Sequence, residues 1–373
     1  MTGCRIPGGP LLPAAIDHEG ERSDYHMTQA PELGKFERYL VEEFYDDYRE
    51  GTLPRRTFFR RVAYITGGMA TAAATLAAMG CTGDDLPDPK ASIPPATQSP
   101  TPRAATPSPT PTGTVVPVAG AKSPISSPEF DPMVRASDIT FASEGGQAGG
   151  YLALPAAAST TKRAAILICH ENAGLTPHIR DVARRFAKEG YAALALDLLT
   201  REGGTAKNER DKIPGLLTGA GIPRHVADFT AARKQLGTIE GVDGARVGMI
   251  GFCFGGGVTW ASATAIPELK AVVPFYGPAP DAAAVPYYGP APDAAGVANV
   301  KAAVLGVYAE NDARITGGRD ALGTALTTAK VNHEMKTYPG VGHAFHNDTG
   351  MAYNEAQAAQ AWKDTLAWFT KHV

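Results

Sequence analysis

The sequence predicts an α/β fold: a doubly wound, mostly parallel sheet flanked by helices, in a single domain. Three observations carry this. From residue 130 onward, strand-like and helix-like segments alternate, as in consecutive βα units. The strands are short, nearly unbroken apolar runs such as 164–169, which suits strands covered on both faces. Residues 130–373 are also long enough to enclose one substantial core.

The elements follow in order. Residues 139–155 read as a hairpin turning at Gly145-Gly146, and 164–169 as a buried strand. The helix 177–190 places Ile179, Val182 and Phe186 on one face and stops at Gly190. Strand 191–199, helix 222–236, strand 247–252 and helix 255–264 come next, with Cys253 between the last two. Strands 269–276, 302–308 and 333–338 and helices 321–330 and 353–372 complete the alternation. Residues 273–283 recur as 285–295 with a single change, Phe275 to Tyr287. Two copies do not make a solenoid. The first continues the strand from 269 and should keep the structural place, with the second bulging as a loop.

The N-terminal third is different. The chain has 373 residues with 35 Lys and Arg against 38 Asp and Glu, and this net charge of −3 gives no basic field for nucleic acid. Four Cys cannot make a dense disulfide framework. Pro and Gly, at 30 and 41, are in excess, and the excess has an address: twelve Pro fall in 84–128. Residues 1–53 are acidic, and Phe36, Leu40, Phe44 and Tyr48 recur every fourth residue as in a short amphipathic helix. Then Pro54-Arg55-Arg56-Thr57-Phe58-Phe59-Arg60-Arg61 resembles a twin-arginine export motif. It precedes an uncharged, small-residue run over 62–80. Gly80-Cys81 resembles a lipobox, with Ala78 where Leu is usual.

The expected plan is an export leader over 1–81, starting at Met1 or Met27, and a Pro/Ser/Thr-rich linker over 82–129. The linker is too polar to offset its ordering entropy and should act as a spacer. A catalytic domain over 130–373 completes it. The protein is expected to be extracytoplasmic and tethered, by lipid on Cys81 or by the uncharged run remaining as an anchor.

Gly251-Phe252-Cys253-Phe254-Gly255 has the form G-x-nucleophile-x-G between a strand and a helix, the context of a nucleophile elbow. A nucleophile there sits at a helix N-terminus, which favours a thiolate and a developing oxyanion. An α/β-hydrolase orders its site as nucleophile, acid, His. Asp312 follows the strand ending at Tyr308, and His343 the strand ending at Tyr338. Asp312 would orient His343, which would act as base and then acid. Glu310 and His346 are the second choices for these roles. The loop after the strand 164–169 would supply the Asn172 N–H to an oxyanion hole shared with the Phe254 N–H. Glu171 beside the nucleophile is unexpected, because a carboxylate opposes thiolate formation.

The set G-F-C-F-G-G, H-E-N-A-G-L, E-N-D-A-R-I and G-H-A-F-H-N-D resembles dienelactone hydrolase (carboxymethylenebutenolidase) over the whole predicted domain. The resemblance implies a single-domain α/β-hydrolase that opens lactone or ester carbonyls with a Cys253-His343-Asp312 triad and neither cofactor nor metal. It implies that Glu171 holds the resting Cys253 as a neutral thiol. It also implies arginines for a substrate carboxylate: Arg201 is the match for one, and Asn347 stands in the position of another. Tyr276 borders the expected pocket. The expected partner is a small ester or lactone, with no nucleic acid, a membrane only at the N-terminus, and a monomeric state. A thioesterase, or a non-catalytic tethered module of the same fold, is the alternative.

Overall fold

The structure is a computed structural model, and it describes residues 33–79, 81, 114–279 and 297–373. The second copy of the repeat and the linker up to 113 lie outside the described residues. The chain divides into two compact units.

The first unit holds α1 (Lys35–Arg49), α2 (Arg55–Thr66) and α3 (Met69–Ala78). The expected amphipathic helix is α1, and its Tyr48 stacks on Phe58 of α2 with ring centroids 5.1 Å apart. The uncharged run 62–80 is not one helix. Gly67 at φ +86° takes the left-handed conformation that ends α2, and α3 restarts after Gly68 for ten residues. Among the described residues no helix is long and apolar enough to cross a membrane. Cys81 is buried and disulfide-bonded, so acylation there needs that bond open.

The second unit carries one eight-stranded sheet in the order β1-β2-β4-β3-β5-β6-β7-β8. In chain order its elements are β1 (Val134–Ser143), β2 (Gly146–Pro155), β3 (Arg163–Cys169), α4 (Pro177–Lys188), β4 (Ala192–Leu196), α5 (Ile213–Ala220, whose residues 214–216 fall in the first unit), α6 (Ile222–Leu236) and β5 (Val242–Phe252). Then come α7 (Phe254–Ala265), β6 (Ala271–Phe275), β7 (Ala303–Ala309), α8 (Ala313–Thr316), α9 (Arg319–Thr328), β8 (His333–Tyr338) and α10 (Glu355–His372). β1 and β2 are antiparallel, and β3 to β8 run parallel. This is the expected α/β-hydrolase class of fold.

Local chemistry explains the elements. Ser143 pairs with Gly146, which leaves Glu144-Gly145 as a two-residue turn with Gly145 at φ +73°. β3 is buried from Ala164 to Cys169, as its apolar run requires. α4 has Pro in its first turn, where the missing N–H costs nothing. It buries Ile179, Val182 and Phe186 completely, each worth about 1.5–3 kcal/mol relative to exposure. Phe186 meets Trp362 and Phe369 of α10, at 4.6 and 5.9 Å between ring centroids.

The strand order sets the place of the site. From β3 the chain moves one way to β4, then back across β3 to β5 and outward to β8. Right-handed crossovers therefore send α4 to one face and α6 and α7 to the other. In open α/β sheets ligands bind beyond the carboxyl ends of the strands at such a switch point, here the ends of β3 and β5.

Residues 114–129 depart from the expected linker. Val116 and Glu129 form an antiparallel bridge. Ser126 Oγ donates to Asp181 of α4 at 2.8 Å. The last part of the Pro-rich stretch thus belongs to the sheet-containing unit.

Candidate active site

Cys253 stands between β5 and α7 at φ +55° and ψ −122°, which non-glycine residues rarely adopt. The turn is so tight that its flanking glycines are obligatory. A Cβ at Gly251 would fall 2.1 Å from the Gly255 carbonyl, and one at Gly255 would fall 2.4 Å from the His170 carbonyl. The second approach shows that the loop after β3 lies against the start of α7. Asn172 comes two residues after His170 in this loop, and Phe254 is the first residue of α7.

His343 and Asp312 meet as expected. His343 Nδ1 donates to Asp312 Oδ2 at 2.5 Å. A ring nitrogen of His343 lies within 4.8 Å of Cys253 Sγ. Burial would raise the Asp312 carboxyl, but the charge and hydrogen bond of His343, with Arg314 nearby, hold it below its ordinary value. The second choices go elsewhere. Glu310 Oε2 accepts from the Gly340 N–H at 2.8 Å. His346 is buried and stacks on Phe252 at 5.2 Å. Tyr276 follows the last residue of β6 at φ +36°, with its ring 4.9 Å from that of His343.

Glu171 is buried, and its Oε2 accepts from Asn347 Nδ2 at 2.7 Å. The sequence left the partner of Asn347 open. Arg201, expected to hold a substrate carboxylate, is paired within the protein. Its guanidinium forms two hydrogen bonds with Asp228 of α6, at 2.9 and 2.8 Å, and a third with the Glu144 carbonyl at 2.7 Å. Its charge is matched within the scaffold, where it ties the β1–β2 turn to α6. Cys169 and Cys253 are both free thiols. Burial, and secondarily Cys253, push the Cys169 thiol up.

Three buried histidines surround the elbow: His346, the second choice for the base, and His170 and His225, to which the sequence assigned no role. His170 Nε2 accepts from the Leu198 N–H at 3.3 Å, so its Nδ1 carries the proton and donates to the Glu171 carbonyl at 2.7 Å. His225 meets Phe254 edge-on at 5.7 Å, and His346 packs on Phe252. Burial lowers all three, His225 to about 3. A histidine depressed in the folded state stabilises fully above its unfolded value of about 6.5 and loses that contribution as pH falls below it. Each should cost roughly 1 kcal/mol per pH unit in that range. Urea midpoints should therefore drop between about pH 7 and pH 5, and equal midpoints would contradict the reading.

The dienelactone hydrolase family profile matches residues 148–373. A carboxymethylenebutenolidase homologue of Salmonella typhi is 33% identical over 253 residues, which is 65% of this chain and 89% of that protein. One from Methylorubrum extorquens is 33% identical over 241 residues, 64% of this chain and 81% of its own length. The crystal structure of a dienelactone hydrolase-type protein from Klebsiella pneumoniae superposes with a TM-score of 0.57 at 30% identity, covering 64% of this chain and 99% of that one.

Proposed function

Since the chain belongs to the dienelactone hydrolase family, and so to the hydrolases of ester and lactone carbonyls, we propose that it works through Cys253, His343 and Asp312. The observation that carries this is the strained Cys253 with a His343 ring nitrogen within 4.8 Å, while Nδ1 of the same ring bonds Asp312. His343 takes the thiol proton, and the thiolate attacks the carbonyl carbon. The oxyanion is held by the Phe254 and Asn172 N–H groups, each worth a few kcal/mol, on the order of 3. Collapse expels the alkoxide, which takes the proton from His343 and leaves an acyl-thioester on Cys253. Water, deprotonated by His343, attacks that thioester and releases the acid, and Cys253 recovers its proton. Glu171, steadied by Asn347, keeps the resting thiol protonated.

The substrate class follows from charge. Arg201 is neutralised by Asp228, and residue 347 is an amide already bonded to Glu171. The site thus favours an uncharged acyl group over a carboxylate-bearing one, because an anion beside Glu171 meets like charge without a free clamp. On matched pairs of esters or lactones with and without a carboxylate, kcat/KM should favour the neutral member about tenfold or more. Preference for the carboxylate would overturn the assignment of substrate class.

We also infer export and tethering, on the arginine pair at Arg55-Arg56, the uncharged run and the Pro-rich linker.

A further inference from the structure

The loop that carries His343 is stiff. Asn347 N–H donates to the Ala344 carbonyl at 3.0 Å, and Gly350 N–H to the Asn347 carbonyl at 3.0 Å. Ala344 takes φ +59°. Backbone this constrained transmits the position of one end to the other, and the far end is Asp348, whose side chain is fully buried.

Asp348 is held from two directions. From α4, His178 Nδ1 donates to its Oδ1 at 2.8 Å, and Arg185 to its Oδ2 at 2.8 Å. From the segment that precedes the sheet, Ser123 N–H donates to Oδ2 at 3.2 Å, and Lys122 N–H to the Asp348 carbonyl at 3.1 Å. Lys122 Nζ adds a bond to the Gly350 carbonyl at 2.8 Å. Arg185 also holds Asp181, which accepts from Ser126 Oγ and from the Ser127 N–H at 2.6 Å. Burial opposes the Asp348 charge, but the His178 hydrogen bond and the Arg185 charge overcome it and keep the carboxyl ionised.

We propose that Asp348 is a positioning residue for His343, and that residues 122–127 act as a strap completing its cage, so the chain entering from the linker helps set the reach of the base. The inference rests on the reading of His343 as that base. An ionised carboxylate sealed among directional donors has one low-energy position. A shift of the loop moves the imidazole relative to Cys253, and errors on the order of 1 Å can cost about 100-fold in rate.

The test uses the full-length chain. Asp348→Asn removes the charge and keeps the shape. Lys122→Met and Ser123→Pro alter only the strap. The readouts are kcat and KM for p-nitrophenyl acetate, and the pH profile of Cys253 alkylation by iodoacetamide. Asp348→Asn should lower kcat about 10- to 100-fold with KM within about threefold, and move the alkylation profile towards that of an unassisted thiol. The strap variants should move both readouts the same way, by about three- to tenfold in kcat. Wild-type kcat and alkylation profiles, with only the melting temperature lowered, overturn the proposal. Should Asp348→Asn not fold, the two strap variants decide alone. His343→Ala separates the levels: if it silences the enzyme while Asp348 and strap variants remain at wild-type kcat, only the positioning role fails. If it leaves kcat unchanged, the reading of His343 as base fails first.

Discussion

Cys253→Ala is expected to lower kcat by about four orders of magnitude or more, with substrate binding little changed. The substitution removes the sulfur proposed to form the acyl intermediate. Alanine is smaller than cysteine and retains the Cβ that the turn already accommodates, so the fold should survive. Cys253→Ser should regain little, because a hydroxyl is a much weaker acid than a thiol and the surrounding groups serve a sulfur nucleophile. Esterase activity at the wild-type level in Cys253→Ala would sink the assignment of the nucleophile.

Asp312→Asn should produce a loss of about 10³- to 10⁴-fold in kcat with KM nearly constant. Asp312 accepts the Nδ1 proton of His343 at 2.5 Å, which leaves Nε2 free of hydrogen for the proposed role as base. An amide in its place can offer N–H instead and reward the opposite tautomer. It also withdraws the negative charge that would stabilise the imidazolium of the proposed mechanism. Glu310→Gln is the matched control, since Glu310 accepts only from the Gly340 N–H among the described hydrogen bonds. Stopped-turnover rates for the two variants should differ by at least about a hundredfold. Equal losses would mean that the acid of the site has been misassigned.

Much of this was legible in the amino-acid order, and the reasons are local. The helix expected over 222–236 and the strand over 333–338 appear with those ends, because hydrophobic period and turn residues agree there. The elbow is readable because strand, tight turn and helix must each be spelled out within a few residues. Other features depend on residues far apart in the chain. The strap over 122–127 has no hydrophobic period, and its bonds reach Asp348 across 225 positions. Arg201 looked available for substrate because nothing near it in sequence announces that α6 will deliver Asp228. Asn347 was legible as a missing positive charge, but its hydrogen bond to Glu171 required the loops after β3 and β8 to converge. The break at Gly67-Gly68 is local and was outweighed by the absence of charge over the whole run.

The strap also has a bearing on when the molecule is finished. Its anchors, Asp348 and Gly350, follow all eight strands in the chain, whereas Lys122 and Ser123 precede the first of them. Contacts of such sequence separation form late, since the intervening chain must be ordered first. The central strands can pair before that, but the loop after β8 cannot be locked until residues 122–127 and 348–350 have met. Under the proposed roles, a chain folded only as far as β8 would hold Cys253 without the cage that steadies the loop of His343.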